Sequence, residues 1–301
     1  MKYPILQPVE LLDAREGAFR VRPKTEGDWR QTCDHVYAEA LGVGLVMDVF
    51  EPTGAGNGRG IVDVVCGGWQ ADRVRLNEHL GLGLVDALCA EGFTVFAVSP
   101  GSASLFTGLQ MVAHVRAAIR HVRQYAAAWG VAAEPLGLAG ASAGGHIAAL
   151  AALAPDPAEP SAREPWRRHG TAVEAVGCFF PPTDLLDFDG GVFDFAGRAG
   201  RGTARLLFED GLAGHDEEAV RAAAEALSPA RQVRGTPPPF LLIHGDADPV
   251  VHLSQSEKLR DALLSAGGEA ELWVKRGGRH PWQGVRAEAA RLASWFAARL
   301  A

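Results

Sequence analysis

The chain has 301 residues, a formal net charge of −7, and a composition that is 48% hydrophobic and 22% charged. A chain of this length buries a substantial core, and the apolar share is that of an ordinary globular protein, which excludes disordered and fibrous classes. The acidic balance gives no footprint for nucleic acid, whose binding modules are usually basic, and no run reaches the ~18 apolar residues of a membrane span.

The first residues, MKYPILQPVELLDAREG, lack the apolar region of a signal peptide. A cytoplasmic location is therefore expected, unless a leader was removed ahead of this numbering. LVMDVF (45–50) and IVDVVC (61–66) read as strands, separated by the loop EPTGAGNGRG. A helical pattern follows around 78–91, and then the strand FTVFAVS (93–99). Over 109–129, Met111, Val112, Val115, Ile119 and Val122 recur at spacings of three and four, which predicts one buried helix face. The strand PLGLAG leads into Ser142, and AGGHIAALAALA reads as the next helix. Residues 155–170 are Pro-rich and charged, and read as a loop. Strands are predicted at about 172–180, 238–246 and 269–275, with helices at 253–266 and 284–300. The segment 183–236 carries the alanine-rich DEEAVRAAAEAL and is long for a plain connection, so a lid or cap is expected there.

Strands alternate with helices almost throughout. That pattern predicts an α/β fold with a mostly parallel, doubly wound sheet, helices on both faces, and a single domain over 1–301. The cysteines Cys33, Cys66, Cys89 and Cys178 lie far apart without C-x-x-C spacing. They are read as reduced and mostly buried, and a cysteine zinc site is not expected.

The stretch LAGASAGGHIAAL (138–150) holds Gly140-x-Ser142-x-Gly144 between a strand and a helix. A nucleophile elbow needs that context, because the sharp turn lifts the serine above the carboxyl ends of the strands. A hydrolase of this type takes its acid and then its base later in the chain. The carboxyl end of PPFLLIHGDADPVV carries Asp246 and Asp248, and His280 follows the next strand in GGRHPW. All lie just past strand ends, where α/β folds build their sites. Ala143, just after the serine, offers one oxyanion N–H. The loop with Gly67, Gly68 and Trp69 offers the other.

CGGWQ, GASAGGHIAALAA, PPTDLLDF and PPFLLIHGDADPVVHLSQSEKLRDALLSAGGEAELWV, followed by GGRH, together span roughly 45–300. Across them the chain resembles an α/β-hydrolase of the bacterial feruloyl-esterase-like branch, near the hormone-sensitive-lipase-like esterases. The resemblance implies that Asp248 is the acid and Asp246 a supporting carboxylate. The family's His-Gly-Gly-Gly-Trp is here Cys66-Gly67-Gly68-Trp69, one residue shorter and without the histidine that anchors the oxyanion loop. The family's Tyr-Arg after the fourth strand is replaced by Ser99-Pro100-Gly101-Ser102.

The expected site is Ser142 as nucleophile, His280 as base, Asp248 as acid, and Ala143, Gly68 and Trp69 at the oxyanion hole. Trp69 and Trp282 are the expected substrate-binding residues. Phe193, Phe195 and Phe208 are candidates for an apolar acyl or aryl pocket, or for plain packing. His146 is expected to point inward, His244 to be a satisfied core histidine, and Asp184 to make structural hydrogen bonds; His252, close after Asp248, is a candidate to line the site or a plain surface residue. The expected partner is a small-molecule ester, short-chain acyl or feruloyl, with no metal or organic cofactor. Whether the chain works as a homodimer is left open. An aryl formamidase, an aromatic polyester hydrolase, a transacylase and a non-catalytic binding protein on a hydrolase scaffold are the alternatives.

Overall fold

A computed structural model describes residues 28–196 and 203–301. The chain's first segment, on which the localisation reading rests, lies outside these residues. Eight strands form one sheet: β1 (Trp29–Ala40), β2 (Val43–Pro52), β3 (Gly60–Val64), β4 (Thr94–Val98), β5 (Leu136–Ala141), β6 (Ala175–Phe179), β7 (Phe240–Gly245) and β8 (Ala270–Lys275). Their spatial order is β1-β2-β4-β3-β5-β6-β7-β8. β2 runs antiparallel to β1 and to β4, and every other pairing is parallel.

The sequence reading did not anticipate β1. Its register shifts between Thr32 and His35 and again between Val36 and Ala38. Those irregularities break the period-two alternation by which a half-buried strand is recognised. β1 returns into β2 through Leu41 and Gly42, both at positive φ (52° and 75°), as a tight hairpin requires.

The described α-helices are α1 (Arg73–Leu82), α2 (Leu84–Ala90), α3 (Gly108–Tyr125), α4 (Ala143–Leu153), α5 (Glu217–Ala226), α6 (Pro229–Gln232), α7 (Ser254–Ser265) and α8 (Arg286–Arg299). The single helix expected around 78–91 is in fact two. Gly83, at φ 76°, ends α1 and starts α2. α3 opens on a capping box, with Thr107 and Gln110 each bonding the other's backbone N–H.

Buried side chains of α3, α4 and α7 cover one face of the sheet, and those of α1, α2 and α8 cover the other. With both faces covered, the central strands read as continuous apolar runs. Asp63 breaks that rule: it stands fully buried in β3. No described helix is long and apolar enough to cross a membrane.

β3 leads through α1 and α2 to β4 on one side, and β4 leads back through α3 to β5 on the other. The order of winding therefore reverses between β3 and β5. The crevice at such a switch point is where open α/β sheets bind ligands.

Candidate active site

Ser142 sits at the carboxyl end of β5 with φ 54° and ψ −124°, a conformation that L-residues rarely adopt. The surroundings enforce it. The Ser142 N–H donates to Phe179 O at 2.9 Å, and the Gly144 N–H donates to Cys66 O at 2.9 Å. A Cβ on Gly144 would lie 2.1 Å from Val64 O, and one on Gly140 would lie 2.6 Å from the Gly144 carbonyl. Only glycines let α4 start this close to β3. All eleven residues of α4 are buried, so the turn is held by the core beneath it.

Two further strand ends deliver the partners. A Cβ on Gly245 would meet Gly278 O at 2.2 Å, so the pair of glycines lets the loop after β8 fold against the end of β7. Asp246 fixes that loop by accepting from the Gly277 N–H at 2.6 Å. The result sets His280 between Asp248 and Ser142. Its Nδ1–H donates to Asp248 Oδ2 at 2.6 Å, and its Nε2 stands 2.9 Å from Ser142 Oγ, where it accepts the hydroxyl proton. Phe180 packs its ring on the imidazole, with centroids 4.3 Å apart.

Asp248 is buried while Asp246 is exposed. Burial pushes the Asp248 carboxyl up. The His244 ring 3.5 Å away and the hydrogen bonds from His280 and from the Val251 and Val250 N–H groups outweigh that effect, and hold it well below the usual carboxylate range. His244 is itself satisfied. Its Nε2–H donates to Val251 O at 2.8 Å, and its Nδ1 accepts from Ser256 Oγ at 2.7 Å. It is a core histidine that braces the Asp248 turn.

The loop after β3 runs from Cys66 to Trp69. The Gly67 N–H donates to Gln70 O, whereas the Gly68, Trp69 and Ala143 N–H groups donate to no described backbone carbonyl. Trp69 holds φ 58°, unusual for a bulky residue. Three contacts impose it. Its carbonyl accepts from the Ala103 N–H at 2.8 Å, its indole N–H donates to His146 Nδ1 at 2.9 Å, and its ring meets Phe193 edge-on. His146 in turn donates from Nε2 to Leu227 O at 2.6 Å. His146 thus points inward and ties the loop to the helix that carries Ser142. Burial brings its pKa down to about 4, so both bonds belong to the neutral ring. Cys66 is fully buried, and burial pushes its thiol up. The Arg75 charge and the Trp69 N–H beside the sulfur work against that shift. The Gly68 N–H donates to no described backbone carbonyl, and Gly68 and Trp69 both line the cavity that Ser142 opens on.

Ser142, His280, Ala143, Gly68, Trp69 and Trp282 line one cavity of about 760 Å³, within the usual range for small-molecule sites. Phe180, Phe188 and Phe193 give it an aromatic wall. The sequence reading did not single out Phe180 or Phe188. Phe195 and Phe208 are not part of the lining: Phe195 is buried in the core, and Phe208 stacks on His215. His252 is exposed, hydrogen-bonded to Ser254, and outside the cavity. Asp184 accepts from Leu186 N, from Asp187 N and from Arg231, which makes it a structural carboxylate of the 183–236 segment.

A family model described as BD-FAE matches residues 47–263. The chain belongs to the BD-FAE family. Among curated proteins this BD-FAE member is 25% identical over 208 residues to esterase LipQ of Mycobacterium tuberculosis, covering 69% of this chain and 46% of LipQ. It is 27% identical over 198 residues to esterase LipC of the same organism, covering 64% of this chain and 46% of LipC. The chain thus spans about half the length of the curated relatives it matches. Among solved structures it is similar to a truncated carbohydrate esterase from gut microbiota, with TM-score 0.76, 22% identity, and coverage of 91% of this chain and 99% of that one. It is also similar to native esterase 2 of Thermogutta terrifontis, with TM-score 0.66, 25% identity, and coverage of 93% and 95%. The architecture of this BD-FAE chain is that of an α/β-hydrolase.

Proposed function

We propose that the protein is a serine esterase that cleaves carboxylic esters through an acyl-enzyme. The observation that carries this reading is the unbroken line from Ser142 Oγ through His280 to the buried Asp248, opening on an apolar cavity. Ser142 Oγ attacks the ester carbonyl while His280 Nε2 takes its proton. Asp248 keeps the proton on Nδ1 and stabilises the imidazolium that forms. The Ala143 and Gly68 N–H groups, with Trp69 beside them, receive the developing oxyanion, each donor worth about 3–4 kcal/mol of barrier. His280 then protonates the leaving alcohol, and water releases the acid by the same route. These residues complete the sequence without a cofactor. The 183–236 segment acts as a cap on a single domain, supplying Phe188 and Phe193 to the cavity.

Short-chain acyl esters are the first substrates proposed. Propionate-bound and butyrate-bound forms of the Thermogutta esterase support that choice. The aromatic wall favours feruloyl and other aryl esters as the second class. An N-formyl arylamine uses the same line of groups, so formamidase activity belongs in the same assay.

The test compares wild type with Ser142→Ala on p-nitrophenyl acetate, butyrate and octanoate, on methyl ferulate, and on an N-formyl arylamine. Wild type turns over at least one ester, and the variant loses at least about 10³-fold in kcat/KM. Paraoxon, which phosphorylates the Thermogutta esterase, adds one diethyl phosphate to wild type at Ser142 and none to the variant. A variant that keeps most of the activity ends the proposal.

A further inference from the structure

The mechanism leaves one buried dyad of the cavity unused. His79, on α1, is 3% exposed, and it lines the same cavity as Ser142. Its Nδ1–H donates to Asp63 Oδ2 at 2.9 Å. Asp63 is the fully buried carboxylate in the middle of β3, and its Oδ1 has no hydrogen-bond partner among the described residues. A buried carboxylate is costly unless a cation or several donors compensate it. The one described partner is His79, and a protonated imidazole there compensates the carboxylate. Burial pulls the ring toward neutrality, and the Asp63 charge and hydrogen bond overcome that and hold its pKa above the ordinary value. A doubly protonated ring has a second N–H at Nε2. No described protein group accepts it, and Nε2 is not among the buried atoms left without a partner. It is therefore accessible from the cavity.

The other charges on this flank are spoken for. Arg75 gives two bonds from one nitrogen to both oxygens of Glu78, and Arg286 pairs with Asp86. With Asp63 and His79 also paired, the flank is neutral as a whole. It does not call for an anionic ligand. It offers one hydrogen-bond donor to a neutral oxygen.

We infer that His79, held by Asp63, is a specificity-determining residue whose Nε2–H donates to an ether, hydroxyl or carbonyl oxygen of the substrate away from the scissile bond. The preferred substrates are then esters with such an oxygen in their acyl or alcohol part, rather than plain hydrocarbon esters. This inference rests on the esterase reading above.

The experiment uses two pairs of esters that differ by one methylene replaced with oxygen. p-Nitrophenyl 3-methoxypropanoate is compared with p-nitrophenyl pentanoate for the acyl part. 2-Methoxyethyl acetate is compared with butyl acetate for the alcohol part. The readout is the kcat/KM ratio within each pair, taken for wild type, His79→Phe and Asp63→Asn. Comparing ratios between proteins cancels the intrinsic reactivity of the esters and any general loss of activity. In one pair, the wild-type ratio exceeds that of His79→Phe by roughly tenfold, the scale of one good hydrogen bond. Asp63→Asn, which leaves the histidine in place but removes its counter-charge, lowers the same ratio at least threefold. Should His79→Phe fail to fold, Asp63→Asn carries the comparison alone. Ratios that agree within twofold across the proteins in both pairs overturn the inference and leave the esterase reading standing. A wild type that turns over no ester and takes no label from paraoxon overturns both.

Discussion

Asp246 and Asp248 are two residues apart in the chain and have opposite surroundings. Asp248 is buried, bonded to His280, and fixed by the N–H groups of Val250 and Val251. Asp246 is exposed and braces Gly277. Asp248→Asn is therefore expected to lower kcat by roughly 10³–10⁴-fold, because the amide favours the wrong tautomer of His280. Asp246→Asn is expected to cost less than about tenfold, through looser placement of the loop. Steady-state kinetics on one p-nitrophenyl ester separates the two, and equal losses would refute the assignment. Gly144 is the other residue where geometry dictates the outcome. Gly144→Ala puts a methyl 2.1 Å from the Val64 carbonyl, and backbone has to move. A loss of at least about 1–3 kcal/mol is expected, read as a lower urea midpoint at unchanged m-value. A wild-type midpoint would mean that the elbow opens freely.

At the scale of elements, α4 does more than carry the serine at its start. One turn later its His146 holds Trp69, and with it the loop whose Gly68 lines the cavity. Cys66 stands where the resemblance implies a loop histidine, and the bond between Trp69 and His146 of α4 braces the loop here. Trp69→Phe keeps an aromatic ring at the Phe193 contact and removes the indole N–H along with part of the ring. It is expected to lower kcat about tenfold or more, since a small shift of an oxyanion donor costs rate rather than ground-state binding. An unchanged kcat would show that the ring packing alone holds the loop.

At the scale of the whole molecule, buried neutral histidines couple fold stability to pH. His146 titrates near its ordinary 6.5 when unfolded and near 4 when folded. Between those values the unfolded chain binds the extra proton, so the stability His146 contributes is complete above pH 6.5 and is lost as pH falls toward 4. The expected loss is about 3 kcal/mol across that window. Protonation at Nδ1 also breaks the bond from Trp69, so activity and stability fall together. Urea unfolding of wild type and His146→Gln at pH 7, 5.5 and 4.5 checks this. The variant's stability changes less with pH by about one proton, and parallel curves would disprove the coupling.

The sequence by itself determined the class of fold, because helix and strand periods alternate legibly from β2 to α8. It also determined the order Ser142, Asp248, His280, because each follows a strand whose hydrophobic run is unmistakable. Those signals are local: glycines on both sides of a serine, between a strand and a helix, mark a sharp turn without reference to the rest of the chain. The tertiary structure decided what depends on contacts between distant segments. β1 escaped notice because its register shifts erase the alternation. The split between α1 and α2 hangs on one left-handed glycine. The separate fates of Phe193, which reaches the cavity beside Trp69, and of Phe195 and Phe208, which do not, depend on contacts that no local pattern announces. The same holds for His79. A histidine on a helix and an aspartate in an apolar strand, sixteen residues apart, acquire a joint role only when packing buries the carboxylate and leaves the imidazole as its one described partner.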